Sequence, residues 1–200
     1  MPAPSAFDPP GEGLRERKRR ETAQRIRDAG IRLFIAKGYE ATTLDEIAAA
    51  AGISRRTFFY YFRSKDDILI SMQSGMGEML AAALGAEPDD KPPLDALRDA
   101  VLAASAPYPA DEMIAIDRLM RASEAVRLRK QASYIQHECT LFEALREKWP
   151  GAERETAHRL AAMLTIGAIR LSLETLSRED GMRPLPVLLR EAFDALRTQL

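Results

Sequence analysis

The sequence predicts an all-α protein, with a small three-helix helix-turn-helix domain at the N-terminus and a larger helical domain behind it. Three observations carry this. Apolar residues recur at helical spacing along most of the 200 residues, while strand-like alternation is scarce. Capping residues precede the periodic segments and glycines follow them. Two short helices flank a tight turn at Gly52.

The elements follow in order. MPAPSAFDPPGEG is rich in Pro and Gly, and residues 1–14 read as a disordered arm rather than a signal peptide. A helix is expected from Arg15 to Lys37, with Ile26, Ala29, Gly30, Leu33 and Phe34 as its apolar stripe and Gly38 as its stop. Thr43 and Glu46 form a T-x-x-E capping box for a short helix through Ala50. Ser54 caps a third helix, and Ser64 with Asp67 caps a fourth, expected to run unbroken from Lys65 to Leu84. GAEPDDKPP, residues 85–93, is a loop. Further helices are expected at 94–105, 111–123, 125–149, 154–178 and 186–199. The domain boundary falls between residues 64 and 65.

Composition narrows the function classes. No run reaches the roughly 18 uninterrupted apolar residues of a membrane helix, and no membrane partner is expected. The one cysteine, Cys139, excludes an internal disulfide framework and fits a reducing cytoplasm. The net charge of −1 hides an asymmetry. Residues 1–65 hold 13 Lys/Arg against 8 Asp/Glu, whereas residues 66–200 hold 16 against 22. A basic first third on an acidic remainder suggests that the first part meets a polyanion.

The stretch GISRRTFFYYF, residues 52–62, places five aromatic rings in succession behind two arginines. A helix turns about 100° per residue, so one core cannot take all five. Phe58 and Phe62, four apart, belong inside with Ile47, Ala51, Ile53 and part of Tyr61, while Ala48 lets the helices approach. Arg55, Arg56, Thr57 and Phe59 then occupy the face that enters the major groove in such motifs, as candidate base readers. Arg can pair bidentately with guanine, Thr can donate or accept, and Phe can touch a thymine methyl. Tyr60, Tyr61 and Lys65 are candidate phosphate ligands beside Thr43, whose helix N-terminus offers N–H groups to the same anion.

Residues 38–69, GYEATTLDEIAAAAGISRRTFFYYFRSKDDIL, resemble the N-terminal signature of the TetR family of bacterial transcriptional repressors. The resemblance covers roughly residues 20–70. Where that family usually reads T-L-Y-Y-H-F, this chain has Thr57-Phe58-Phe59-Tyr60-Tyr61-Phe62. Phe59 therefore lacks a hydroxyl that the family has, and Tyr61 replaces a histidine. The resemblance implies a homodimer on a palindromic double-stranded operator, released by a small-molecule effector bound in the second domain.

Residues 65–200 carry no family-wide motif and are expected to bind effector and to dimerise. LAAMLTIGAIRLSLETL, residues 160–176, is apolar nearly all round, so it needs cover on two sides. One side suits its own domain and the other a second copy, although a central helix of a monomer would read alike. In the resembled family the last two helices pair in a four-helix bundle, which here implicates Ala161, Leu164, Gly167, Ala168, Leu171, Leu189, Phe193 and Leu196. Candidate effector-pocket residues are Met72 and Met76 on the fourth helix, with Met120, Tyr134, Phe142, Trp149 and Met163 elsewhere. Met79 extends the same stripe, and a methionine-rich core would look no different.

Other chemistries find little support. His137 and Cys139, two apart on a helix, point to different sides, so no metal is expected. No nucleophile–base pair or phosphate loop suggests an enzyme, and no cofactor is expected. The remaining alternative is a DNA-binding regulator with no small-molecule effector.

Overall fold

The computed structural model describes residues 13–72, 75–121 and 123–199. The arm read at 1–14 lies outside the described residues up to residue 12. Every regular element among the described residues is helical. Two compact units divide between Ile68 and Leu69.

The first unit holds α1 (Leu14–Lys37), α2 (Leu44–Ala50), α3 (Arg55–Tyr61) and the first turn of α4 (Lys65–Ser71). Local signals set these boundaries. Thr43 Oγ1 accepts from the Glu46 N–H while the Glu46 carboxylate accepts from the Thr43 N–H, a complete capping box. Ser54 Oγ accepts from Thr57 N–H at 3.1 Å, and Ser64 Oγ from Asp67 N–H at 3.2 Å. Between α2 and α3 the chain turns through Gly52, whose φ of +66° is one that side chains with a Cβ rarely adopt. Ile26, Ala29, Phe34, Ile47, Ala48, Phe58, Phe62 and Ile68 are buried together as the core.

The second unit holds α5 (Met76–Gly85), α6 (Pro93–Ser105), α7 (Ala110–Arg121), α8 (Glu124–Lys148), α9 (Glu155–Arg178) and α10 (Leu185–Gln199). A single 3₁₀ turn, Ala152–Arg154, precedes α9. α9 is central, packing on α6, α7, α8 and α10, while α5 packs on α6 and α8. With its 3₁₀ turn, α9 is long and apolar enough to cross a membrane by length and composition. Here its apolar inner side, Ala162, Ile166, Ile169 and Leu176, lies in the domain's core.

One expected element is corrected. The helix read as continuous from Lys65 to Leu84 ends at Ser71, and α5 begins at Met76 after Gly75. Gly75 has φ +95°, a left-handed conformation that an α-helix does not contain. Its sequence signal was a pair of glycines, Gly75 and Gly77, inside an apolar stripe, which the stripe outweighed.

Candidate nucleic-acid interface and effector cavity

α3 presents the candidate reading surface. Phe58 is wholly buried and Phe62 nearly so, which anchors the helix by one edge. Arg55, Arg56, Phe59 and Tyr60 face outward, Tyr60 at 70% and Phe59 at 47% exposure, and Tyr61 is half-buried. The exposed rings are held by their neighbours. Phe59 sits edge-on to Phe58 at 5.7 Å, and Tyr60 edge-on to Tyr61 at 5.1 Å. Such pairs fix ring orientation before any ligand arrives.

Two of the base-reading candidates already have partners. The Arg55 guanidinium donates to Asp45 Oδ2 at 2.9 Å and lies 5.8 Å from the centre of the Phe59 ring. Thr57 Oγ1 shares a 2.8 Å hydrogen bond with Ser54 Oγ. Asp45 at the start of α2 is a residue that sequence reasoning missed, because nothing local ties it to a residue ten positions on. The basic run Arg15, Arg17, Lys18 and Arg19 at the start of α1 was likewise passed over, and all four residues are exposed.

The phosphate candidates divide. Thr43 is exposed, yet its hydroxyl donates to Glu46 Oε2 at 2.8 Å within the capping box. A hydrogen bond from Lys37 and two from Thr43 pull the Glu46 carboxyl down to about 2. Lys65 already has partners within its own unit. Its ammonium donates to the Tyr39 carbonyl at 2.8 Å and to those of Thr42 at 3.3 Å and Glu40 at 3.4 Å, over the Tyr39 ring. Three donors thus meet three carbonyls of the turn after α1. The Tyr39 hydroxyl donates to Asp66 on the neighbouring turn; burial first, and that bond second, push the phenol well above its ordinary value.

In the second unit, α7, α8 and α9 line a half-open cavity of about 260 Å³. Of the expected pocket residues, Met120 and Tyr134 line it. Met72, Met76, Phe142 and Met163 do not. Met76 packs on the core, Phe142 is buried with the Arg146 and Arg159 guanidiniums near its ring, and Met163 faces outward. Trp149 anchors the loop before α6 instead, donating from Nε1 to the Asp89 carbonyl at 2.9 Å. A search for apolar side chains could not find this cavity, because much of its wall is charged. Asp117 Oδ1 accepts from Lys130 at 2.8 Å and Oδ2 from Arg121 at 2.7 Å. Burial pushes the Asp117 carboxyl up, but these bonds outweigh it and hold it below its ordinary value.

The residues of the expected dimer face divide between outward and inward positions. Leu164, Gly167 and Leu171 lie on an outward stripe of α9 with Leu160 and Met163, and Ala161 and Leu196 are half-buried. Ala168, Leu189 and Phe193 are buried within their own unit. α10 turns Leu185, Leu188, Leu189 and Phe193 inward at i, i+3, i+4 and i+8, so the last two cannot also face out. Among the described residues, no group of three or more His, Cys, Asp or Glu is placed to hold a metal ion.

A glycine turn between two short capped helices, packed on a third helix and showing Arg and aromatic side chains on its second member, is a helix-turn-helix domain. Residues 26–72 match the family described as bacterial regulatory proteins, tetR family, and this chain carries that family's N-terminal domain. Among curated relatives, the HTH-type transcriptional regulator TcmR of Streptomyces glaucescens is 40% identical over 92 residues, 46% of this chain and 41% of that one. AcrR of Shigella flexneri is 35% identical over 86 residues, 41% of this chain and 39% of that one. The matches therefore span about two fifths of those relatives' length. Among solved structures, the fatty acid degradation regulator FadR of Bacillus halodurans superposes with TM-score 0.64 at 22% identity, covering 90% of this chain and 96% of that one. FadR of Bacillus subtilis, solved with stearoyl-CoA, gives 0.63 at 19% identity, covering 88% and 98%. At these identities the likeness concerns the fold.

Proposed function

We propose that this protein is a sequence-specific DNA-binding transcriptional regulator, acting as a homodimeric repressor that a small molecule releases from a palindromic operator. The observation that carries the reading is α3, anchored by Phe58 and Phe62 and showing Arg55, Arg56, Phe59 and Tyr60 to solvent. A major groove admits such a helix, where Arg reads guanine and an aromatic ring meets the thymine methyl. Arg56 is the primary base reader; Arg55 and Phe59 act beside it, and Thr57 contributes at the edge through its shared hydroxyl. Tyr60 and Tyr61 place their hydroxyls for backbone phosphates, with Thr43 at the α2 N-terminus.

Dimerisation is supported by the exposed stripe Leu160, Met163, Leu164, Gly167 and Leu171 on α9. A contiguous apolar face of this kind marks an interaction site. A two-fold pair of recognition helices reads half-sites about 34–36 Å apart, one turn of DNA. The cavity among α7, α8 and α9 supports an effector, whose binding would couple reciprocally to operator affinity.

The test is selection of sheared genomic DNA on the purified protein, followed by sequencing. Enrichment of a two-fold-symmetric site that Arg56→Ala no longer selects establishes the reading. Enrichment of no site, at low salt and with the dimer confirmed, overturns it.

A further inference from the structure

The cavity among α7, α8 and α9 has a charge balance that its own salt bridges leave unfinished. Four cations line it, Arg121, Arg127, Lys130 and Arg170, against two carboxylates, Asp117 and Glu174. Asp117 accepts from both Lys130 and Arg121, so those three groups satisfy one another. Glu174 is exposed to solvent. The surplus positive charge falls on Arg127 and Arg170. Arg127 makes no ion pair among the described residues. The Arg170 Nε–H is buried and has no hydrogen-bond partner, and its guanidinium lies 4.7 Å from the centre of the Tyr134 ring.

A buried guanidinium donor without an acceptor is an unmet demand that a ligand oxygen can meet. The contact with the Tyr134 ring restricts the guanidinium, whose fork suits a two-point contact with a carboxylate. Beside it, Met120, Leu173 and the Tyr134 ring supply an apolar bed. The volume sets the size of the guest. A cavity of about 150 Å³ holds benzene, so about 260 Å³ holds a ring with a carboxylate attached. That volume falls below the roughly 300–1,000 Å³ of pockets for drug-sized ligands, so a compact guest fills it.

We propose that this cavity binds a compact amphiphilic carboxylate, an aromatic or branched aliphatic acid, held by Arg170 and Arg127 with its apolar body on Tyr134, Met120 and Leu173. This deepens the effector reading and rests on it only for the consequence at the operator.

The test uses the full chain, with benzoate and phenylacetate as probes and benzamide and inorganic phosphate as controls, followed by calorimetric titration and thermal shift. The carboxylates bind one per protomer and raise the melting temperature, and the controls do neither. Arg170→Met lowers carboxylate affinity about 30-fold while leaving the unliganded protein folded, because Arg170 gives up no hydrogen bond at Nε. Arg127→Gln, at an exposed position, weakens binding by about tenfold and guards against a misfolded Arg170 variant. Equal binding of benzamide, phosphate binding in place of the acids, no binding of either acid at millimolar concentration, or affinity unchanged in both variants overturns the proposal. Operator affinity measured with and without bound benzoate tests the effector reading separately. An acid that binds through Arg170 without loosening DNA leaves the site standing and removes its regulatory role. Operator release by a neutral compound, with no acid bound, does the reverse.

Discussion

Asp45 Oδ2 accepts a hydrogen bond from the Arg55 guanidinium at 2.9 Å, so α2 holds the first residue of α3 before any DNA is present. The pair is solvent-exposed, and such pairs contribute little to stability, about 0–1 kcal/mol. Its effect is on binding. Asp45→Asn removes a carboxylate from a surface meant for phosphate and frees Arg55, so operator affinity should rise with little change in melting temperature. Arg55→Ala should cost about 1–3 kcal/mol at one base position and relax specificity there. A competition assay across single-base operator variants checks both. A uniform loss over all variants would remove Arg55 from the reading set.

Lys65 reaches three backbone carbonyls after α1 from the first turn of α4. Lys65→Met should therefore destabilise the N-terminal unit by about 2 kcal/mol, the scale of hydrogen bonds from a charged group. The salt dependence of DNA binding should stay as in the parent protein. A slope reduced by about one phosphate contact would return Lys65 to the phosphate ligands.

The outward stripe of α9 and the inward stripe of α10 should respond differently to substitution. Leu171 is 58% exposed, so Leu171→Asp should yield a folded monomer by sedimentation with the helical signal intact. Phe193 is buried, and Phe193→Ala should instead lower stability by about 3–5 kcal/mol in urea unfolding. A dimer that survives Leu171→Asp together with Leu164→Asp would place the interface elsewhere.

His137 and His158 are both buried, and burial lowers both imidazoles below their ordinary value near 6.5. A lowered folded pKa means that the unfolded chain binds the proton first. The stability due to the neutral rings is whole above about pH 6.5 and is lost as the pH falls through their folded pKa values. Unfolding free energy should thus decline from about pH 6.5 downward, and His137→Phe should shallow that decline. An unchanged slope in that variant would assign the effect to other groups.

Much of the N-terminal unit was legible in the sequence because its signals are short-range. The capping box at Thr43 and Glu46, the serine caps at 54 and 64, the positive φ at Gly52 and the i, i+4 pairing of Phe58 with Phe62 each lie within a few residues of chain. The same holds for the helix boundaries of α6, α9 and α10, which loops and caps mark closely. Periodicity also told that α9 has more apolar surface than one neighbour can cover.

What tertiary structure alone decided involves partners distant in sequence. Lys65 meets carbonyls 23 to 26 positions away, and Arg170 lies across from Tyr134 on another helix. Whether Leu171 or Ala168 faces out depends on the rotation of α9 among four neighbours, which composition does not encode. The break at Gly75 and the surplus of cations in the cavity belong to the same class. Hydrophobic period and capping act within a turn or two and are written locally. The destination of a long charged side chain is set by whichever elements the fold brings beside it.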